Sequence, residues 1–104
     1  MRYIQIPQTK LEPSIICLGT ASLGSAIDRD TSFDLLDAYV ARGGNFIDTA
    51  IVYANWLPEG TSHSEKTIGQ WLTQRGARDK VLIGTKGGHP HLSSMHVSRL
   101  SPQE

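Results

Sequence analysis

A short apolar run that ends in a carboxylate constrains the fold of this chain more than any other feature. Within residues 45–53, Asp48 stands where the apolar run Phe46-Ile47 ends, and Tyr53 follows five residues later. The run is too short for a helix and is typical of a buried strand. A Gly-Gly pair at 43–44 ends the helical pattern before it, so Asp48 is predicted at the carboxyl end of a strand that follows a helix. In α/β folds, this edge of the sheet gathers the polar chemistry.

A second segment, residues 80–88, has the same pattern of a short apolar run followed by a charged residue. It is a short apolar run with Lys86 at its end and two glycines beyond it. Side chains alternate along a strand, so Asp48 is predicted on one face of the sheet, while Ile47, Val81 and Ile83 face the other way, toward the helices. An aspartate, a tyrosine and a lysine are therefore expected at equivalent ends of two strands.

Four motifs, in order along the chain, resemble those of the aldo-keto reductases. They are residues 19–24 (Gly-Thr-Ala-Ser-Leu-Gly), residues 46–50 followed by Tyr53, residues 64–69 (Ser-Glu-Lys-Thr-Ile-Gly) and residues 84–86 (Gly-Thr-Lys). Each motif alone is weak, but four in register at about the family's spacing are hard to obtain by chance. The resemblance covers nearly the whole chain.

The resemblance implies a TIM (β/α)8 barrel of the aldo-keto reductase type. Such a barrel needs roughly 250 residues, and this sequence has 104. We therefore expect residues 1–104 to be one partial domain, with an amino-terminal hairpin and about the first three β/α units, and to be inactive by itself. Residues 101–104 (Ser-Pro-Gln-Glu) have the pattern of a helix start, which indicates a longer protein; a frayed polar tail is the alternative.

The three polar residues suggest a mechanism for carbonyl chemistry. A lysine without a partner would be driven toward neutrality by burial, whereas a carboxylate within about 4 to 6 Å keeps it charged. Asp48 is the partner we predict for Lys86, with a purely structural ion pair as the alternative. Phenols are weak acids, but an adjacent ammonium makes the proton easier to give. Tyr53 is therefore the predicted general acid, which protonates a carbonyl oxygen as hydride arrives at its carbon.

Side chains cannot supply hydride, so a nicotinamide cofactor is required. The resemblance implies NADPH, with Gly19, Thr20 and Ala21 beside the nicotinamide ribose and Asp48 also in contact with the cofactor. From the residues alone, an ordinary strand-to-helix turn at 19–21 is equally compatible. Trp56 lies in a long loop, residues 52–61, and either walls a substrate pocket or folds back over its own loop.

Helical spacing predicts two helices on the buried face of the sheet. The first follows a cap at Asp28 or Asp30, and the second begins with a capping box at residues 62–65 and packs through its apolar residues 68, 71 and 72. Gly69 inside the second helix costs roughly 1 kcal/mol relative to alanine. We therefore expect Gly69 to pack closely against a strand.

Composition excludes several other function classes. The formal net charge of zero gives no reason to expect nucleic acid as a partner, and no stretch approaches the roughly 20 apolar residues of a membrane span. The start of the chain lacks a secretory pattern, so a cytoplasmic location is expected. Cys17, in the apolar run 15–18, is expected to be a buried and inert thiol. The histidines of the tail, His89, His91 and His96, fall short of a metal pattern and are expected in a solvated loop.

The predicted function is that of an NADPH-dependent oxidoreductase, in the complete protein, that reduces an aldehyde or ketone to an alcohol or catalyses the reverse. The substrate would be a small molecule, with no metal, nucleic acid or membrane as a partner. The alternative is a non-catalytic, cofactor-binding relative, such as the channel-associated β subunits that resemble the same family.

Overall fold

The structure is a computed structural model that describes residues 1–57 and 61–103. Three short strands form one parallel sheet in chain order, and a helix lies between each consecutive pair. The strands are β1 (Leu18–Gly19), β2 (Phe46–Asp48) and β3 (Leu82–Gly84), and the helices are α1 (Arg29–Ala41) and α2 (His63–Arg75). A short 3-10 helix, Arg78–Lys80, precedes β3. Parallel strands need crossover connections, and sequential β/α units of this kind build a barrel wall.

The strand register opens the space around Asp48. Gly19 of β1 lies opposite Asp48 on one side, and Gly84 of β3 lies opposite it on the other. An added Cβ at Gly19 would have no atom within 4 Å. Asp48 is thus flanked by two residues without side chains, and its carboxylate is half-exposed.

The helices cover one face of the sheet. Ile47 of β2 is completely buried, and Val81 is 4% exposed. Ile83 of β3 and Leu18 of β1 pack against the same core. The buried members of this core are Leu23, Phe33, Leu36, Ile47, Ile68, Trp71, Ala77 and Val81. The predicted assignment of Ile47, Val81 and Ile83 to the helical face is confirmed.

The ends of the first helix follow the sequence prediction. Asp28 is the N-cap of α1, and its carboxylate accepts a hydrogen bond from the Thr31 amide at 2.8 Å. After α1, Gly43 adopts a left-handed φ of +86°, which ends the helix as the Gly-Gly pair predicted.

The second helix begins where predicted, but the predicted capping box is wrong. Ser62 is in the left-handed region, with φ of 58°, and makes no side-chain cap. An N-cap residue normally has extended backbone, from which its side chain reaches the first amides. Here the Ser62 hydroxyl donates to Ile51 O at 3.1 Å, and the Glu65 carboxylate accepts a hydrogen bond from the Thr85 hydroxyl.

Four further expectations need correction. Gly69 is exposed, and an added Cβ would meet nothing within 4 Å, so it does not pack against a strand. The strand predicted at 15–18 is limited to Leu18–Gly19. Cys17 is exposed rather than buried, because Leu18 packs against the core and the side chain before it faces the other side of the sheet, away from the helices. Residues 101–103 form a bend and a turn rather than a helix, and Glu104 lies outside the described residues.

The predicted amino-terminal hairpin is present. The amide of Ile4 donates to Pro13 O at 3.0 Å, and the amide of Ile6 donates to Leu11 O at 2.9 Å. The hydroxyl of Tyr3 donates to Gly43 O at 2.7 Å and ties the hairpin to the end of α1. None of the helices within residues 1–57 and 61–103 is long and apolar enough to cross a membrane.

Candidate active site

The candidate site lies at the carboxyl edge of the parallel sheet. Beyond β2, the amide of Thr49 donates to Gly84 O at 2.8 Å, and the amide of Ile51 donates to Lys86 O at 3.0 Å. These bonds continue the pairing of the two segments past the ends of their strands. They bring Lys86, two residues after β3, beside the end of β2.

Lys86 and Asp48 form an ion pair at this edge. The Lys86 ammonium donates to Asp48 Oδ1 at 2.6 Å and to Thr49 O at 2.6 Å. The two side chains are 50% and 38% exposed. Because both acceptors belong to adjacent residues of β2 and its continuation, the position of the ammonium depends on the backbone at residues 48–49.

Tyr53 is the third member of this group. Its ring centroid lies 5.1 Å from Lys86 Nζ, within the range of a cation–π contact. The amide of Tyr53 donates to Ala50 O at 3.1 Å in the turn that follows β2. The structure thus brings together the three residues that the sequence predicted as catalytic.

The electrostatics of the group favour a charged lysine. The hydrogen bond to the Asp48 carboxylate raises the pKa of Lys86 above its ordinary value, against a smaller opposing effect of desolvation, and Tyr53 contributes to the same upward shift. The group therefore holds a permanent cation beside a phenol at neutral pH. A cation in this place stabilises negative charge that develops on the phenolic oxygen or on a bound carbonyl oxygen.

The residues predicted beside the cofactor divide into two kinds. Gly19 and Ala21 are exposed at the carboxyl edge of β1. Thr20 is 1% exposed, and its hydroxyl donates to Asp48 O at 2.8 Å. The structure brings Gly19 and Ala21 to the surface beside Asp48, whereas the Thr20 side chain is bonded inside the protein.

An open cleft of about 330 Å³ borders Tyr53 and Lys86. Its lining is Ala50, Val52, Tyr53, Lys86, Gly87, Gly88 and His89. Trp56 is 55% exposed and is not one of these residues. Pro58, Glu59 and Gly60, which complete the same loop, lie outside the described residues, so the choice between pocket wall and folded-back ring for Trp56 stays a prediction.

Of the tail histidines, His89 lines the cleft beside Tyr53 and Lys86. The tail histidines His89, His91 and His96 are exposed in irregular backbone. No cluster of potential metal ligands occurs among the residues that the structure describes. Partial desolvation by neighbouring atoms raises the pKa of the exposed Cys17 thiol, and the negative charge of Asp48 raises it further. The thiol is exposed but stays protonated at neutral pH, so it is not activated as a nucleophile.

Sequence reasoning missed a set of buried hydroxyls beneath the site. Ser64 is completely buried, and its hydroxyl lies 2.9 Å from Thr49 Oγ1 and 2.9 Å from Thr20 Oγ1. A signal was available, because Ser64 shares the buried face of α2 with Ile68 and Trp71 at helical spacing. A serine at such a position is unusual enough to require hydrogen-bond partners.

Comparison with known proteins identifies the relatives of this chain. The sequence model of the Aldo/keto reductase family matches residues 15–104. Aldo-keto reductase ausK from Emericella nidulans is 44% identical in an alignment of 89 positions that covers 79% of this chain and 21% of ausK. Aryl-alcohol dehydrogenase [NADP(+)] from Phanerodontia chrysosporium is 41% identical in an alignment of 88 positions that covers 77% of this chain and 21% of that protein. The chain thus spans about a fifth of the length of the curated relatives it matches.

A solved structure gives the same answer for the fold. The chain is similar to aldo-keto reductase AKR11C1 from Bacillus halodurans (holo form), with a TM-score of 0.71 and 24% sequence identity. The match covers 94% of this chain and 30% of that one. The three strands and two helices therefore have the fold of the amino-terminal part of a TIM barrel, as predicted.

Proposed function

This chain belongs to the aldo/keto reductase family, and on that premise we propose that the complete protein is an NADPH-dependent oxidoreductase that interconverts an aldehyde or ketone and an alcohol. One observation carries the proposal. The Lys86 ammonium lies 2.6 Å from Asp48 Oδ1 and 5.1 Å from the centre of the Tyr53 ring, beside an open cleft.

Tyr53 is the proposed general acid of the reduction. Its ring lines the cleft, so its hydroxyl can reach a carbonyl oxygen held there. During reduction, the carbonyl carbon gains a hydride and its oxygen gains the phenolic proton, which yields an alcohol and leaves a phenolate. In the reverse direction, the phenolate accepts the proton of the alcohol. Positioned proton transfer of this kind contributes about 10²- to 10⁴-fold to a rate.

Lys86 and Asp48 act through Tyr53. The raised pKa of Lys86, caused first by its hydrogen bond to Asp48, keeps the ammonium charged when the phenol gives up its proton. The ammonium then stabilises the negative charge left on the phenolic oxygen. Asp48 and the carbonyl oxygen of Thr49 hold the ammonium in place.

The residues at the carboxyl edge fit a nicotinamide cofactor. Gly19 and Ala21 are small and exposed, and the space beside Gly19 is empty to at least 4 Å, so a flat ring can approach the backbone closely. The half-exposed Asp48 carboxylate lies opposite Gly19 and would accept a hydrogen bond from a ribose hydroxyl. NADPH, when bound, supplies the hydride for the reaction.

The relatives suggest the first substrates to test. One relative is named as an NADP(+)-dependent aryl-alcohol dehydrogenase, and another, from Emericella nidulans at 39% identity, as a norsolorinic acid reductase. We therefore propose aromatic aldehydes and ketones as the leading substrate class. The wall of the cleft beside Tyr53 includes the partly exposed Val52, an apolar surface suited to an aromatic ring.

The test is pre-steady-state NADPH consumption by the full-length protein with aromatic and aliphatic aldehydes of equal carbon number. Tyr53→Phe should slow the hydride step by about 10²- to 10⁴-fold and leave NADPH affinity nearly unchanged. Tyr3→Phe is the matched control, because Tyr3 lies in the hairpin, remote from the cleft, and donates to Gly43 O. A Tyr53→Phe protein with the parent's single-turnover rate would remove Tyr53 from the mechanism. Saturable NADPH binding without turnover would instead indicate the non-catalytic alternative.

A further inference from the structure

Three buried hydroxyls lie directly beneath the candidate site. Thr20 and Thr49 are each 1% exposed, and Ser64 of α2 is 0% exposed. We call Thr20, Thr49 and Ser64 the hydroxyl cluster. Its members come from the ends of two strands and from the first turn of the helix that covers them.

Counting protons assigns the direction of these bonds. The Thr20 hydroxyl donates to Asp48 O at 2.8 Å, and the Ser64 hydroxyl donates to Thr20 O at 2.7 Å. Each hydroxyl has one proton, so with these two donations Thr49 is the donor in the 2.9 Å contact with Ser64 Oγ, and no proton is left for the 2.9 Å contact between Thr20 Oγ1 and Ser64 Oγ. Ser64 is then the central member, because it accepts from Thr49 and donates to Thr20.

The hydroxyl cluster fixes the backbone of residues 48–49, and these two residues bind the Lys86 ammonium. Asp48 O accepts from both the Thr20 hydroxyl and the Thr20 amide, the latter at 3.1 Å. Thr49 is held by its hydroxyl from the opposite side. These same two residues, 48 and 49, provide both acceptors of the Lys86 ammonium, each at 2.6 Å.

Ser64 occupies a place where an apolar side chain would pack. It shares the buried face of α2 with Ile68, which is 2% exposed, and Trp71, which is 1% exposed. A buried hydroxyl gains little stability over an apolar group of the same shape once its hydrogen bonds are traded for those to water. The position is better explained by the bonds that Ser64 makes to the two strand ends.

We propose that Ser64 is a positioning residue of the active site, which sets the place of the Lys86 ammonium beside Tyr53 through the hydroxyl cluster and the backbone of residues 48–49. Ser64 is completely buried and touches no reactant, so it acts only through other groups. The kinetic part of this inference rests on the proposed reductase function, whereas its electrostatic part does not.

The test is Ser64→Ala in the full-length protein, with Ser32→Ala as the matched control. Ser32 is also completely buried, and its hydroxyl donates to Asp28 O at 2.6 Å in α1, away from the site. Small misplacement of catalytic groups costs up to about 10²-fold in rate. Ser64→Ala should therefore slow the hydride step by roughly 10- to 100-fold with little change in NADPH affinity, while Ser32→Ala keeps the parent's rate.

A second readout does not depend on turnover. NMR titration of 13C-labelled lysine measures the pKa of Lys86, and the Lys86 signal is assigned by its loss in Lys86→Met. Ser64→Ala should lower this pKa toward its ordinary value, because the ammonium then fits its acceptors less well. Ser32→Ala should leave this pKa unchanged. If the parent protein reduces no carbonyl compound, the proposed function fails, and this titration alone decides the positioning role.

The inference is overturned if Ser64→Ala and Ser32→Ala behave alike, with lower melting temperatures but a parental hydride step and a parental titration of Lys86. If Ser64→Ala does not fold, Thr49→Val decides the question, because it removes the donor hydroxyl and keeps the side-chain shape. Thr49→Val should slow the hydride step and lower the pKa of Lys86 in the same sense, and parental values for both would reject the proposal.

Discussion

Gly44→Ala and Gly69→Ala add the same methyl group at two places, and we expect opposite effects on stability. A Cβ at Gly44 would lie 2.2 Å from Cε2 of Tyr39 and 2.3 Å from its Cζ, far inside van der Waals contact. A Cβ at Gly69, in the exposed interior of α2, would meet nothing within 4 Å. The first change forces the Tyr39 ring to move, whereas the second only improves the helix propensity of its site.

The stability cost of Gly44→Ala can be worked out from the hydrogen bonds that hold the Tyr39 ring in place. The Tyr39 hydroxyl lies 2.7 Å from Ile16 O and 2.8 Å from Phe46 O, and it accepts a hydrogen bond from the Phe46 amide at 3.1 Å. Losing two such bonds costs about 2 kcal/mol at about 1 kcal/mol each, and overpacking adds about 1 to 3 kcal/mol. We therefore expect Gly44→Ala to lower the free energy of unfolding by about 3 to 5 kcal/mol, a large part of the 5 to 15 kcal/mol typical of a domain.

Gly69→Ala should raise the free energy of unfolding by up to about 1 kcal/mol. Urea unfolding of the full-length protein, followed by circular dichroism, measures both changes. Replacing the ring in Tyr39→Leu should reduce the cost of a second change at Gly44, because the clash is then absent. A Gly44→Ala protein as stable as its parent would show that the Tyr39 ring is not held against this glycine, and a destabilised Gly69→Ala protein would show that the outer face of α2 is covered.

Two further changes test the ion pairs. Lys86→Met keeps the length of the side chain and removes its charge, so carbonyl reduction should fall sharply while NADPH binding changes less. Single-turnover rates and cofactor titration measure these two quantities. Intact turnover would show that the ion pair between Lys86 and Asp48 is structural. Hydrogen bonds from Arg75 and Trp71 lower the pKa of Asp37, so its contribution to stability is present above the ordinary aspartate pKa and is lost as the pH falls through the lower, folded-state value. Urea unfolding between pH 2 and pH 6 should therefore show a smaller acid loss of stability in Asp37→Asn than in the parent, and parallel pH profiles would contradict this reasoning.

Much of the fold was predictable because its signals are local. The end of α1 follows from Gly43, whose left-handed φ of +86° suits glycine better than any other residue. The faces of β2 and β3 follow from alternation, which correctly assigned Ile47, Val81 and Ile83 to the helices. These features depend on residues close together in sequence, so the sequence pattern is enough to predict them.

The errors arose where a residue's surroundings come from distant parts of the chain. The Ser62 side chain bonds to Ile51 rather than capping its own helix, since its backbone is left-handed. Cys17 lies in an apolar run, yet it is exposed because Leu18 packs against the core and Cys17 faces the other side of the sheet, away from the helices. Local propensity cannot show which side of an element another element will cover.

The candidate site also combines features that local sequence predicts with features that depend on distant contacts. Residue types and spacing were enough to place Asp48, Tyr53 and Lys86 at the same edge of a parallel sheet, because the carboxyl ends of parallel strands coincide. The distances between them, and the burial of Thr20 and Ser64 beneath them, depend on contacts that span up to 44 residues of sequence. Such contacts form only when α2 packs across the ends of β1 and β2, so the support of Lys86 is a property of the packed tertiary structure and not of any one motif.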